Sequence, residues 1–131
     1  ILAKRGNRLI TEANDCPDII ANHETLLQVL INLAVNSGRH TENGTVTFSV
    51  KKSETTDNFV MFTVSDTGTG ISREALSHLF DKGYSTDGGN GLGLYICREI
   101  IESMGGEINA ESSENGAVFR FTVPCGKEDE K

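Results

Sequence analysis

No stretch of this 131-residue sequence approaches the roughly eighteen consecutive apolar residues that span a bilayer, and no signal-peptide pattern opens it. Basic runs are missing as well: 12 Lys and Arg stand against 19 Asp and Glu, for a formal net charge of −7 and a pI near 4.9. Nothing in that pattern tracks a phosphate backbone or an anionic lipid surface, so neither nucleic acid nor direct membrane contact is expected. An anionic ligand would have to be held locally. Cysteine is scarce: Cys16, Cys97 and Cys125 are odd in number and share no metal-like spacing, which suits reduced packing thiols in a cytoplasmic domain. Internal repeats, low-complexity tracts and linkers are absent too, which leaves one domain to be expected.

What is present is enough for a core, since 37% of the residues are hydrophobic. The domain is expected over residues 1–126, with 127–131 as a charged, frayed tail. Because the chain opens on Ile1 and not Met, it reads as a piece excised from a longer parent. Loose alternation predicts a strand from Arg8 to Ala13, then a turn at Asn14-Asp15-Cys16-Pro17. A helix is predicted from near His23 to about Ser37, capped by Asn22 and closed by Gly38. After the turn signal Asn43-Gly44, Val46, Phe48 and Val50 alternate with polar residues as a half-buried strand, and Phe59 to Ser65 is a second, ending at Asp66. Ser72 caps a short helix to about Leu79, and a loop runs from Asp81 to Asn90. Gly91 opens a longer helix on which Leu92, Ile96, Ile100 and Met104 recur, ended by Gly105-Gly106. Two closing strands, about Glu107–Glu111 and Ala117–Val123, meet across Glu114-Asn115-Gly116, and Pro124 stops the last. These elements amount to one α/β layer sandwich.

The first helix carries the first chemical signal. Positions 26, 27, 29, 30, 31, 33, 34 and 35 are all apolar, which predicts a helix buried nearly all round. Yet Gln28, Asn32 and Asn36 fall on one stripe, with Arg39 on the same line. A buried amide left unpaired costs on the order of 1–3 kcal/mol, so such a stripe needs either solvent or a partner. One partner that suits it is a hard cation such as Mg²⁺, ligated by amide oxygen and carrying nucleotide phosphates.

Two glycine clusters follow. Asp66-Thr67-Gly68-Thr69-Gly70-Ile71 places a carboxylate at a strand end, where it can accept from an exocyclic amine while the glycines let backbone lie against a flat base. An aspartate capping an ordinary strand-to-helix turn would look the same. In Gly89-Asn90-Gly91-Leu92-Gly93-Leu94, the glycines lead into a helix N-terminus, whose free N–H groups and dipole favour phosphate, with Leu92 and Leu94 as hydrophobic anchors.

In their order, Leu30-Ile31-Asn32-Leu33-Ala34-Val35-Asn36-Ser37, Asp66 to Ile71, Leu79-Phe80-Asp81-Lys82-Gly83 and Gly89 to Leu94 resemble the N, first glycine, F and second glycine boxes of sensor histidine kinases. Gly105-Gly106-Glu107-Ile108 and Phe119 to Pro124 also match, so the resemblance covers almost the whole chain. It implies the catalytic and ATP-binding domain of such a kinase, in the Bergerat fold of the GHKL superfamily: a two-layer sandwich of a mixed β-sheet packed on about three helices. Asn36 then corresponds to the Mg²⁺ ligand, Asn32 lies beside the phosphates, Arg39 is the basic residue near them, and His40 faces adenine. Asp66 reads adenine, supported by Gly68, Gly70 and Ile71. Phe80 to Gly89 becomes the ATP lid, whose Lys82 faces the γ-phosphate and lacks a partner until that phosphate arrives, with Gly91, Leu92, Gly93 and Leu94 at the lid's base. Asn32 and Lys82 are the residues expected to serve catalysis.

The resemblance further implies partners: ATP, the parent's helical dimerisation and phosphoacceptor domain, and through the parent a response regulator. The domain would be cytoplasmic and the parent membrane-anchored. Two departures stand out. Ala117 occupies a position where the family often has Thr, and Asn32 stands where ATPases and serine kinases of the superfamily carry a Glu base. Asn cannot accept that proton, which disfavours hydrolysis and serine phosphorylation. His23-Glu24 lacks the basic residue and proline of a phosphoacceptor box, and His78 sits on a short surface helix, so the acceptor belongs elsewhere. An anti-sigma-factor-type serine kinase and a nucleotide-sensing module without phosphoryl transfer are the remaining alternatives.

Overall fold

The computed structural model describes residues 8–13, 22–39, 41–54, 57–84, 92–113 and 115–125. In chain order the elements are β1 (Arg8–Ala13), α1 (His23–Arg39), β2 (Thr45–Lys52), β3 (Phe59–Asp66), α2 (Arg73–His78), α3 (Gly93–Ser103), β4 (Ile108–Ser113) and β5 (Gly116–Pro124). The strands form one sheet in the order β1-β2-β3-β5-β4. β1 runs parallel to β2, and the other pairings are antiparallel, so the sheet is mixed as expected.

One face of that sheet makes the core. Val46, Val60, Val64, Phe119, Phe121 and Val123 alternate inward from β2, β3 and β5, and the helices meet them with Val29 and Leu33 of α1 and Cys97 and Ile101 of α3. Phe62 and Phe121, cross-strand partners, stack with ring centroids 4.8 Å apart. The layers are thus a sheet and a helical layer, with α1 and α3 packed side by side.

Local signals explain most boundaries. The Asn22 side chain accepts the N–H groups of Glu24 at 2.9 Å and Thr25 at 3.1 Å, capping α1. Ser72 accepts the Ala75 N–H at 3.1 Å and caps α2. At the end of α3 the Gly105 N–H reaches the Glu102 carbonyl and the Gly106 N–H the Ile101 carbonyl, a Schellman close.

Five expectations need correction. Gly38 does not close α1, which continues to Arg39; the glycine is buried and lacks the positive φ of a left-handed cap. Nor is α1 buried all round, because Leu27 and Ile31 are 57% and 51% exposed on the side turned away from the sheet. α3 begins at Gly93, two residues after Gly91. Its core face is Leu94, Cys97, Ile100, Ile101 and Met104, so only the later half of the four-residue series from Leu92 packs there; a spacing of four drifts by roughly 120° over three steps. Pro124 ends β5 from inside the strand, paired with Phe59. The turn at residues 14–17 and the tail at 127–131 lie outside the described residues.

Within the packed interior the Ser37 hydroxyl is 0% exposed and has no hydrogen-bond partner among the described residues. Ser37→Ala should therefore stabilise the domain by about 1 kcal/mol, raising its thermal midpoint by roughly 3 °C. An unchanged or lower midpoint in calorimetric unfolding would mean that the hydroxyl is bonded in solution.

Candidate functional site

β3 delivers Asp66 to the sheet's end, where its side chain is largely buried, at 8% exposure. Its Oδ1 accepts two backbone N–H groups, from Gly68 at 2.9 Å and from Ala117 at 3.2 Å. The first bond is the local turn cap that the sequence allowed. The second comes from 51 residues away and has no capping purpose. Among the described residues both donors converge on one oxygen, so Oδ2 keeps its lone pairs for a further donor. Gly116 makes this approach possible: at φ +133, a Cβ built on it would lie 1.9 Å from the Asp66 carbonyl oxygen. Sequence reading assigned Gly116 only to a hairpin turn, and nothing in its neighbours signals the contact.

The loop after Asp66 is fixed from two sides. The Thr67 N–H donates to the Thr45 carbonyl at 3.1 Å, and the Thr67 hydroxyl oxygen accepts the Thr45 N–H at 3.0 Å. Gly44 leaves space there, since a Cβ on it would sit 2.3 Å from Thr67 Oγ1 and 2.9 Å from Thr41 Cγ2, which brings the exit of α1 against the first glycine cluster. Gly70 takes φ +79, and Ile71 turns its side chain to the core while its N–H donates to the Ser112 hydroxyl.

On α1, Gln28 and Arg39 are exposed, whereas Asn32 and Asn36 are half-buried. The Asn32 Nδ2 donates to the Gly93 carbonyl at 3.5 Å, joining the amide stripe to the second glycine cluster. No hydrogen bond among the described residues engages the Asn36 amide, which leaves its oxygen available as a hard donor. Burial pushes the neighbouring Cys97 thiol up to about 11 despite a hydrogen bond with Asn32, so it stays neutral and inert near pH 7. Cys97 is a core residue, as expected, and the described residues hold no group of metal-ligating side chains of the His, Cys, Asp and Glu types.

Phe80 anchors the segment after α2, its ring meeting Phe119 edge-on at 6.3 Å. His78, paired with Asp81 at 3.0 Å and lying against the Tyr84 ring, holds the same stem on the surface. Lys82 is not without a partner, contrary to expectation: its Nζ lies 5.7 Å from the centroid of the Tyr95 ring, a cation–π contact. Tyr95 follows the second glycine cluster directly, and aromatic character at the start of an amphipathic helix reads as core, which is why sequence reasoning missed it. Leu94 packs on the core, and Leu92 is the N-cap residue of α3 without a side-chain cap bond. His40, Gly89 and Gly91 lie outside the described residues.

Thus Asp66, Gly68, Gly70 and Ile71 form one wall, Asn32 and Asn36 line the helix beside it, and Gly93 and Lys82 stand where α3 begins. No helix among the described residues is long and apolar enough to cross a membrane. Known proteins are similar to this chain in sequence and fold. Residues 21–127 match the family described as histidine kinase-, DNA gyrase B-, and HSP90-like ATPase. The adaptive-response sensory kinase SasA of Microcystis aeruginosa is 37% identical over 117 residues, covering 84% of this chain and 30% of that kinase. The catalytic domain of histidine kinase ThkA superposes with a TM-score of 0.82 at 34% identity, covering 94% of this chain and 83% of that one. Full-length ShkA, solved in complex with AMPPNP, gives a TM-score of 0.84 at 32% identity over 94% of this chain and 26% of its own. The chain spans between 6% and 33% of the length of eight curated relatives it matches. It therefore belongs to the histidine kinase-, DNA gyrase B-, and HSP90-like ATPase family, among the catalytic domains of sensor histidine kinases.

Proposed function

We propose that this chain binds ATP with Mg²⁺ and presents the γ-phosphoryl to a histidine on the helical dimerisation domain of a longer parent. The observation that carries this reading is Asp66, buried, with both backbone donors on Oδ1 and Oδ2 left to accept an adenine amine. Asn36 would hold the metal and Asp66 the base, and the donor set fits both: an amide oxygen suits a hard cation, a carboxylate oxygen suits an amine. Bound ATP·Mg²⁺ supplies the transferable phosphoryl group and neutralises its charge.

The chain's own residues position the rest. Gly68 and Gly70 let the loop lie flat beside the base, with Ile71 anchoring it. Asn32, Arg39 and the first turn of α3 at Gly93 and Leu94 meet the phosphates, where free N–H groups and the helix dipole favour negative charge. Leu92 stands at the N-cap of α3, and Phe80 anchors the segment that carries Lys82. Lys82 leaves the Tyr95 ring for the γ-phosphate, exchanging a contact of about 0.5–1 kcal/mol for a stronger charge pair. Asn32 has no proton-accepting group, so transfer waits for a separate acceptor. Positioning and charge neutralisation are the whole of the catalysis this domain supplies. A response regulator would receive the group through the parent, whose membrane anchor would lie outside this chain.

The test is phosphorylation in trans. Incubated with γ-labelled ATP and Mg²⁺, the isolated domain should remain unlabelled and hydrolyse ATP slowly. Adding the parent's helical hairpin should yield acid-labile, base-stable phosphohistidine on the hairpin. Rapid hydrolysis by the domain alone, or acid-stable phosphoserine on a partner, would move the assignment to the family's ATPases or serine kinases.

A further inference from the structure

The β4–β5 hairpin stands behind the base wall and touches it three times. Ser112 Oγ accepts the Ile71 N–H, the Ala117 N–H donates to Asp66 Oδ1, and Gly116 lies against the Asp66 carbonyl. Ser112 and Ala117 are cross-strand partners in register, so the two hydrogen bonds issue from one rung of the hairpin and grip the two ends of the segment 66–71. Within that segment Gly70, at φ +79, is the pivot. Without a bond at Ile71, the tether beyond the pivot would be the Ile71 side chain on the core.

We infer that Ser112 is a positioning residue for nucleotide binding: through the Ile71 amide it holds the segment from Asp66 to Ile71 in the shape that accepts the base. It touches no part of the nucleotide itself. This rests on the reading of Asp66 as the base acceptor. The role is specific to the base end of the ligand, because the hairpin meets the site at Asp66 and Ile71 while the phosphates are assigned to α1 and α3. Losing Ser112 must therefore weaken ATP and ADP alike and leave the contribution of Mg²⁺ untouched.

The experiment compares the unsubstituted domain with Ser112→Ala and Ser112→Thr by amide exchange at Ile71, by calorimetric titration with ADP and ATP with and without Mg²⁺, and by thermal unfolding. In Ser112→Ala, Ile71 exchange should quicken at least about tenfold, and both affinities should fall by the same factor, about three- to tenfold, as expected for one lost hydrogen bond. The ratio of affinities with and without Mg²⁺ should stay constant, and Ser112→Thr, which keeps the hydroxyl, should restore both readouts. Unchanged affinity, selective loss of ATP over ADP, or unaltered Ile71 exchange would overturn the proposal. If the unsubstituted domain binds no adenine nucleotide, the base-site reading itself falls, and Ile71 exchange alone then decides whether Ser112 holds the loop.

Discussion

Gly116→Ala should lower the thermal midpoint by about 10 °C or more and abolish measurable nucleotide binding. Two effects add. At φ +133 a β-carbon is strained by about 1–3 kcal/mol wherever it sits. Here it would also be 1.9 Å from the Asp66 carbonyl oxygen and 3.1 Å from Thr67 Cα, both backbone, so no side chain can rotate aside. β5 must then draw away from β3 at its first residue. That motion carries off the Ala117 N–H, one of the two donors that orient Asp66. With about 3 °C per kcal/mol for a domain of this size, a combined 3–5 kcal/mol gives the stated shift. Gly93→Ala is the control: no atom lies within 4 Å of a Cβ there, and its midpoint should be unchanged or slightly higher. A Gly116→Ala variant as stable as the unsubstituted domain would disprove the close packing of the hairpin against Asp66.

The contrast between these glycines shows what could and could not be read from sequence. Caps were legible, because Asn22, Ser72 and Gly105 satisfy backbone groups within three or four residues of themselves. The alternation of Val46, Phe48 and Val50 predicted a face correctly, since a strand's period is two wherever one side is buried. Apolar content alone misled on α1. Leu27 and Ile31 are as hydrophobic as Leu26 and Leu33, and only the position of the sheet decides which pair is buried. The amide stripe and Asp66 stood out because polar groups among apolar neighbours demand a partner. Ser112, Ala117 and Tyr95 did not. Their contacts join residues 41, 51 and 13 positions apart in sequence, created by strand pairing and by the packing of α3 beside the segment that follows α2. A serine on an edge strand has no local property that betrays such a bond.

Asp66→Asn should reduce ATP affinity by roughly 30-fold or more while leaving the domain folded. The amide oxygen can replace Oδ1 and go on accepting from Gly68 and Ala117, so the loop and the hairpin keep both tethers. Nδ2 then occupies the place of Oδ2 and turns a donor toward the amine, which is itself a donor. A lost charge-assisted bond of about 1.5–3 kcal/mol, with the penalty of two opposed donors, accounts for the expected loss. Asp66→Ala differs in kind: it strips the acceptor from both backbone N–H groups, so it should cost about 1–3 kcal/mol of stability besides removing binding. The sharper check is a change of base. Inosine triphosphate presents a carbonyl oxygen where adenine presents its amine. The unsubstituted domain should therefore discriminate against it, and Asp66→Asn, with its donor in place, should narrow or reverse that preference. Calorimetric titration of both nucleotides against both proteins measures the four affinities required. If the preference for ATP over inosine triphosphate is the same in the two proteins, Asp66 does not read the base, whatever it does for the turn.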